Sequence, residues 1–284
     1  MGSLILASIL WAFSFGLIKG QLAGHDPLTV AALRLALAAA VFAPWLRRGP
    51  GRSAERFRLA ALGGLQFGLM YALYIASYET LPAYAVALFT VLTPIYVALI
   101  HAALEAQWNG RTFAAALMAV MGASLITFQA LPGSAAWRGV LLLQGANLCF
   151  ALGQVLYARR RAADNRPASD AGALAWMYVG GAVLVATGAV LGGLDSWDSW
   201  TAEARLTILY LGLVPTALGF WLWNRGVARV SGGVAAVMNN LKIPLAIIIA
   251  WGVFGEALDP GRLGPGLALI VAAVVWLSIP NRTN

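Results

Sequence analysis

Three neighbouring polar side chains interrupt an otherwise apolar stretch near the end of the chain. The stretch runs from Gly232 to Glu256, reads GGVAAVMNNLKIPLAIIIAWGVFGE, and carries Asn239, Asn240 and Lys242 at its centre. Its length and apolarity are those of a membrane-spanning helix. A cation near the middle of a membrane costs several kcal/mol unless it faces protein or water. Lys242 is therefore the first candidate for recognising a substrate.

Two interpretations of Lys242 stay open. Its ammonium group either holds the carboxylate of a substrate, or it neutralises a helix C-terminus or a carboxylate of the protein itself. Asn239 lies three residues before Lys242 on a helix, so it is the better candidate to share a site with the lysine. Asn240 points about 100° away and is expected to bond a neighbouring helix.

A second group of candidates lies in the apolar run over residues 137–157. Asn147 and Gln154 are seven residues apart, and Phe150 is four residues before Gln154, so helical spacing places the three side chains on similar faces. They either line a pore or bridge two helices. We include all three among the predicted substrate-binding residues.

Aromatic residues provide further candidates, of which Tyr78 and Trp176 are the strongest. Tyr71, Tyr74 and Tyr78 follow at helical spacing, a pattern that is more often packing than ligand contact. Tyrosine hydroxyls need partners away from water, however, which favours a stripe that faces a cavity. A role in the membrane-interface belt competes for Trp176. Glu79 either pairs with a substrate ammonium or is solvated near the interface.

Composition places these residues in a polytopic membrane protein. Of the 284 residues 61% are hydrophobic and only 11% charged, and the mean hydropathy is +0.78, far from the averages of soluble domains. Apolar runs of about 20 residues predict an all-α protein with ten transmembrane helices. The runs cover 3–21, 28–46, 58–78, 82–103, 111–130, 137–157, 171–191, 205–224, 232–252 and 262–280.

Basic residues in the connectors predict the orientation. With a cytoplasmic N-terminus, the inner connectors and the C-terminal tail hold thirteen arginines and the outer connectors three. Positive charge favours the cytoplasmic side, so both termini are predicted there, in a bacterial inner membrane. Lys19, Arg34 and Lys242 fall within the runs. For Arg34 we expect a structural pairing or a place in an outer vestibule.

The chain repeats itself at an offset of about 150 residues. An offset of 150 places Pro94 on Pro244, and an offset of 151 places Glu105 on Glu256. The halves 1–133 and 134–284 each contain five runs, an odd number, so the second half must be inverted in the membrane relative to the first. Inverted repeats around a central cavity are typical of secondary transporters, with the binding site near the midplane.

Four residues are predicted to serve gating by alternating access. Pro94 and Pro244 supply bending points in the runs 82–103 and 232–252, which would act as inversely related gates. Gly232 and Gly233 begin the second of these runs, and small residues there suit helices that pack closely or move against neighbours.

Two five-helix halves, each with a mid-run proline, a glutamate and a final glycine-containing run, resemble the drug/metabolite transporter superfamily in its ten-helix EamA-type branch. The resemblance covers the full chain and implies a central cavity, with the runs 111–130 and 262–280 at the periphery. The first glutamate departs from the pattern because Leu104 precedes it instead of glycine. The segment Trp11-Ala12-Phe13-Ser14-Phe15 is similar to bacterial exporters of aromatic amino acids, which adds Trp11 to the predicted binding residues.

The sequence therefore predicts a secondary transporter that exports small metabolites, with aromatic or other neutral amino acids as the first substrates. Export of drugs or of nucleotide-linked sugars is an alternative, because cavity shape decides selectivity. A membrane sensor or an intramembrane enzyme is an alternative of another class. An enzyme would need a metal cluster or an activated nucleophile, and His25 and His101 are the only histidines.

We expect membrane lipid and the transported molecule as partners. No cofactor, metal or nucleic acid is expected, and the predicted assembly is a monomer or a weak dimer. No aspartate falls inside a run, and the candidate proton carriers Glu79, His101 and Glu105 lie near helix ends. This distribution favours facilitated export over proton coupling.

Overall fold

The computed structural model describes residues 1–22, 24–105, 108–127, 136–163, 170–254 and 260–279, and within these ranges the regular structure is entirely helical. The α-helices in chain order are α1 Gly2–Ala12, α2 Ser14–Gln21, α3 Pro27–Phe42, α4 Ser53–Gly63, α5 Met70–Ser77, α6 Ala83–Thr90, α7 Thr93–Glu105, α8 Gly110–Thr127, α9 Ala136–Ala163, α10 Asp170–Gly192, α11 Ala202–Leu211, α12 Gly219–Val227, α13 Gly232–Met238, α14 Lys242–Phe254 and α15 Pro260–Ser278.

Helices lie on all ten predicted runs. Over the described residues, eight helical stretches are long and apolar enough to cross a membrane, and the apolar part of α8, Gly110–Ile126, is shorter. The ninth run, 232–252, is divided between α13 and α14. In lipid every backbone polar group must bond within the protein, which is why such apolar sequences become helices. The chain is an all-α polytopic membrane protein.

Two spans are broken at mid-length, next to the prolines. α6 ends at Thr90 and α7 begins at Thr93, while a 3-10 turn over Asn239–Leu241 separates α13 from α14. Pro94 and Pro244 each lie in the first turn of the following helix, where proline is tolerated because the N–H groups of a first turn have no partner within that helix. The prolines thus begin a second helix instead of bending a continuous one. Glu256 lies outside the described residues.

Two other spans contain π-helical segments. One covers Gly64–Leu69 between α4 and α5, and the other covers Gly212–Leu218 between α11 and α12. Short π segments within α-helices are frequent at functional sites. The second segment is held from outside, because the Tyr178 hydroxyl donates to the carbonyls of Thr216 (2.9 Å) and Ala217 (3.0 Å).

Glycines allow α4 and α10 to cross with their backbones nearly in contact. A Cβ atom on Gly180 would lie 1.9 Å from the carbonyl oxygen of Ala60, and one on Gly63 would lie 1.9 Å from that of Met177. Close approach at small residues is the usual way in which membrane helices gain packing energy. Glycines also allow close contact between α8 and α15, where Gly122 and Gly266 face each other.

Candidate functional site

A cavity of about 80 Å³ lies among the helices beside the first of the two broken spans. Its wall combines aromatic and apolar side chains with hydroxyls, an amide and two cations, and no acidic residue of the described ranges lines it. The lining residues are Trp11, Ser14, Phe15, Ile18, Arg34, Met70, Tyr71, Tyr74, Thr90, Thr93, Ala146, Asn147, Phe150, Phe220 and Lys242.

Lys242 enters this cavity from the first residue of α14. Its side chain is buried, with the residue 8% exposed, and its ammonium donates to Oδ1 of Asn239 at 3.3 Å. The same Nζ lies 5.8 Å from the ring centroid of Trp11 and 6.0 Å from that of Phe150, within the range of cation–π attraction. No acidic residue of the described chain forms an ion pair with it.

Asn147 and Thr93 line the cavity and also stabilise the break between α6 and α7. The Asn147 amide donates to the carbonyl of Phe89 at 2.9 Å, and the Thr93 hydroxyl donates to that of Thr90 at 2.8 Å. Pro94 has no N–H to offer the Thr90 carbonyl, so the side chain replaces the helical bond. The wall is therefore built partly from groups that stabilise the break.

Arg34, on α3, is the second cation of the wall. Its Nη2 donates to the hydroxyls of Tyr71 (2.9 Å) and Thr216 (3.1 Å), and its Nε donates to Thr216 at 3.2 Å. The residue is 2% exposed and its guanidinium carbon lies 4.1 Å from the Tyr71 ring centroid. Its Nη1 has no hydrogen-bond partner. The partners of this buried cation are thus neutral hydroxyls.

A buried layer of polar side chains lies next to the cavity. The Trp223 indole donates to Gln154 at 3.0 Å, and the Gln66 amide donates to Asn224 at 3.4 Å. The Trp223 ring lies 4.9 Å from that of Trp11. Along α9, Gln154 lies between the cavity residue Phe150 and the arginines at 159–161, and along α12, Asn224 lies between the cavity residue Phe220 and Arg225. We call these four residues, Gln66, Gln154, Trp223 and Asn224, the polar layer.

Several predicted binding residues do not line the cavity. Asn239 lies one contact behind it, through Lys242, and Gln154 lies two contacts behind it, through Trp223 and Trp11. The hydroxyl of Tyr78 bonds that of Tyr74 at 2.8 Å. Trp176 donates to a main-chain carbonyl in the turn after α3, at 3.3 Å, away from the wall.

Glu79 also lies outside the cavity wall. Its carboxylate faces the guanidinium of Arg138 at 3.8 Å, and its side chain is 47% exposed. The described lining residues therefore offer no carboxylate for a substrate ammonium group.

The two predicted gating glycines are sites of close packing. A Cβ atom on Gly232 would lie 2.4 Å from Nε2 of His101, and one on Gly233 would lie 3.0 Å from Oγ1 of Thr112. Both contacts join the start of α13 to the neighbouring helices α7 and α8. Small residues are needed here for the approach itself, whatever motion follows.

The remaining wall residues differ in how far their role could be predicted from the sequence. Arg34 carried the same signal as Lys242, a charge inside an apolar run, and Tyr71 belonged to a recognisable stripe. Phe220 and Met70 carried none, because aromatic and methionine side chains are common in any apolar run.

Comparison with known proteins decides the family. The sequence pattern of the EamA-like transporter family matches residues 1–128 and 137–279. The chain belongs to the EamA-like transporter family. A transporter role, with no enzyme activity, follows from this membership and from the relatives below.

Relatives of this EamA-like chain carry substrate names. It is 36% identical over 284 residues to the "Biotin transporter" of Escherichia coli (strain K12), covering 98% of this chain and 92% of that protein. It is 39% identical over 285 residues to the "Probable biotin transporter" of Pseudomonas aeruginosa, covering 98% and 97%. A "Probable terminal-alkyne amino-acid exporter" of Streptantibioticus cattleyicolor is 25% identical over 288 residues, covering 97% and 92%.

A solved crystal structure shares the fold of this EamA-like chain. The two superpose with a TM-score of 0.78, covering 99% of this chain and 98% of the other, at 21% sequence identity. At that identity the likeness concerns the fold alone.

Proposed function

We propose that this protein moves a small organic anion across the membrane, with biotin as the first substrate to test. The observation that carries the proposal is a cavity with two buried cations, Arg34 and Lys242, and no acidic residue among its described lining. Burying charge without a counter-ion is costly, and a bound carboxylate would offset that cost. Relatives 34–39% identical are named biotin transporters.

The rest of the wall suits a molecule with an apolar middle and polar ends. Biotin joins a carboxylate, through an alkyl chain and a sulfur-containing ring, to a ureido group. Trp11, Phe150 and Phe220 offer flat apolar surface, and Asn147 and Thr93 offer hydrogen-bonding groups. Such a lining, mostly apolar with a few placed polar groups, is typical of small-molecule sites.

Amino acids remain a second candidate. The relative named as an amino-acid exporter and the aromatic wall favour them. A zwitterion, however, also needs an acceptor for its ammonium group, and Glu79 faces Arg138 outside the cavity. Amino acids therefore enter the test as competitors.

We further propose two inverted repeats, 1–133 and 134–284, that alternate access to the cavity. Three observations support this. The family pattern matches once in each half. The π segments begin 148 positions apart, at Gly64 and Gly212, and the helices after the two breaks begin 149 positions apart, at Thr93 and Lys242. Matching irregularities at matching positions are expected of a duplicated fold.

The same proposal places both termini in the cytoplasm of a bacterial cell. The supporting observation is the excess of arginines in the inner connectors. In that orientation the polar layer lies on the cytoplasmic side of the cavity and would form the inner gate. Pro94, Pro244, Gly232 and Gly233 lie at the ends of helical segments that would move.

Transport in liposomes tests the function. Purified protein reconstituted into liposomes is expected to accumulate radiolabelled biotin above protein-free liposomes. Excess unlabelled biotin should abolish the signal, while excess phenylalanine or tryptophan should leave it unchanged. Accumulation of labelled phenylalanine with no biotin signal would transfer the proposal to amino acids. Failure with both, in protein that is folded, would overturn it.

A further inference from the structure

We infer that Arg34 is the specificity-determining residue that receives the substrate carboxylate, whereas Lys242 serves the other end of the molecule. The inference rests on the proposed transport of a small organic anion and assigns its orientation in the cavity.

Part of the Arg34 guanidinium group has no hydrogen-bond partner within the protein. Arginine has five N–H donors in a rigid fork. In this protein the Nε and Nη2 donors go to Tyr71 and Thr216, and Nη1 keeps no partner although the residue is 2% exposed. A buried donor without a partner is costly, so an acceptor that arrives with the substrate is strongly favoured.

The residues around Arg34 hold its guanidinium group in a fixed position. Tyr71 lies under the guanidinium plane at 4.1 Å, and the hydroxyls of Tyr71 and Thr216 bond each other at 3.0 Å. Thr216 belongs to the π segment Gly212–Leu218, whose carbonyls are held by Tyr178. Arg34 is therefore fixed before any substrate binds by two helical elements, α5 and the π segment, of which α10 holds the second, and this reduces the entropy lost on binding.

Lys242 differs from Arg34 in shape and in surroundings. Its ammonium is a point charge on a flexible stem, with one bond to Asn239 and aromatic rings on two sides. Such a donor suits a neutral acceptor that lies among apolar walls, as a ureido carbonyl would. A planar carboxylate is better matched by the guanidinium fork.

The charges of the site support the same orientation. No acidic residue of the described chain is paired with Arg34, whose partners are the hydroxyls of Tyr71 and Thr216 and the Tyr71 ring. A guanidinium keeps its charge when buried, whereas a lysine can lose its proton. Arg34, which keeps its charge, is therefore the cation that a bound anion would stabilise most.

The test compares biotin with biotin amide, which differ only in the terminal group, an anionic carboxylate in the first and a neutral carboxamide in the second. Equilibrium binding of both to the purified full-length protein is measured for the wild type, Arg34→Gln and Lys242→Gln. Wild type should prefer biotin over the amide. Arg34→Gln should lose roughly 10- to 100-fold in biotin affinity, the range of a charge-assisted hydrogen bond, with less than about 3-fold change for the amide. Lys242→Gln should weaken both ligands and keep the preference.

Further variants separate recognition from folding. Arg138→Gln, at an exposed arginine, should leave both affinities unchanged. If Arg34→Gln does not fold, Arg34→Lys, which keeps charge but loses the fork, should lower biotin affinity at least about 10-fold and spare the amide. Equal losses for biotin and the amide in either variant would overturn the role of Arg34 alone. Absence of carboxylate binding by folded wild-type protein would instead overturn the proposed function, and the inference with it.

Discussion

The side-chain amide of Asn240 donates a hydrogen bond of 3.0 Å to the main-chain carbonyl of Val91. Both residues lie at breaks, Asn240 in the 3-10 turn between α13 and α14, and Val91 between α6 and α7. The bond thus joins the two interrupted spans at their interruptions. Non-helical backbone at membrane depth is tolerated only where other protein groups satisfy it, and this amide is one of them.

Asn240→Ala should lower the stability of the protein. The Val91 carbonyl would lose its side-chain donor in a water-poor interior, at a cost of about 1–2 kcal/mol. Thermal unfolding in detergent measures the loss. Thr187→Ala is the matched control, because its hydroxyl also bonds a carbonyl, that of Val183, but at an exposed site in its own helix. Equal stability of the two variants would contradict the role of the Asn240 bond.

Replacing Lys242 or Lys19 by methionine should change the free energy of unfolding in opposite directions. Lys242→Met removes a buried cation without an acidic partner among the described residues, and should raise the free energy of unfolding by about 1–3 kcal/mol while substrate binding falls. Lys19→Met removes an ammonium that bonds the carbonyls of Tyr78 (3.0 Å) and Leu81 (3.5 Å), and should lower it by about 1 kcal/mol.

Thermal unfolding and binding of labelled substrate, measured on the same preparations, check the two lysine variants. Lys19 lies outside the cavity wall, so Lys19→Met should retain binding. A Lys242→Met protein that is less stable than wild type would contradict the expectation that burial of this ammonium group costs more than its contacts with Asn239, Trp11 and Phe150 return. Unchanged binding in that variant would remove Lys242 from the site.

Gly180→Ala should separate α4 from α10. The new methyl would lie 1.9 Å from the Ala60 carbonyl oxygen, and a backbone atom cannot move aside as a side-chain end can. We expect a loss of roughly 3 kcal/mol or failure to fold, beyond the ordinary cost of overpacking. Gly20→Ala is the control, since nothing lies within 4 Å of its Cβ position. That change should be neutral or stabilising by up to about 1 kcal/mol. Comparable unfolding temperatures for both variants would refute the close crossing.

The sequence was informative about helices because the membrane leaves few alternatives. All ten apolar runs became helical, since no other backbone structure except a closed barrel satisfies itself in lipid. The prolines marked where two spans are irregular, but not that each span divides into two helices. That outcome depends on donors from elsewhere, such as Asn147 to Phe89 across 58 positions.

The site was less accessible to sequence reasoning, for a related reason. The i, i+3 spacing of Asn239 and Lys242 is local, so their pairing could be read from the chain. The surroundings of Arg34 could not, because Thr216 lies 182 positions away and meets it only through the packing of the helices. The structural pairing or vestibule place expected for Arg34 was based on its position in the run. That position does not show which helix the Arg34 side chain faces.

The polar layer should govern turnover more than binding. Gln66 and Asn224 make one bond of 3.4 Å, and Gln66 Oε1 and Asn224 Nδ2 have no partner. If the polar layer opened and admitted water, water molecules would bond these two atoms, so the closed layer is only weakly favoured.

Replacing both Gln66 and Asn224 by leucine removes the unsatisfied atoms and adds apolar contact, which should stabilise the closed arrangement. We expect Gln66→Leu/Asn224→Leu to bind substrate at least as tightly as wild type and to transport it about 10-fold more slowly, in keeping with a shift of roughly 1.4 kcal/mol toward the closed state. Binding to the purified protein and initial uptake rates in liposomes give the two numbers. Single Leu148→Ala, at an exposed position of α9, is the control for surface changes and should alter neither. A double variant that transports at the wild-type rate would exclude the polar layer as a gate.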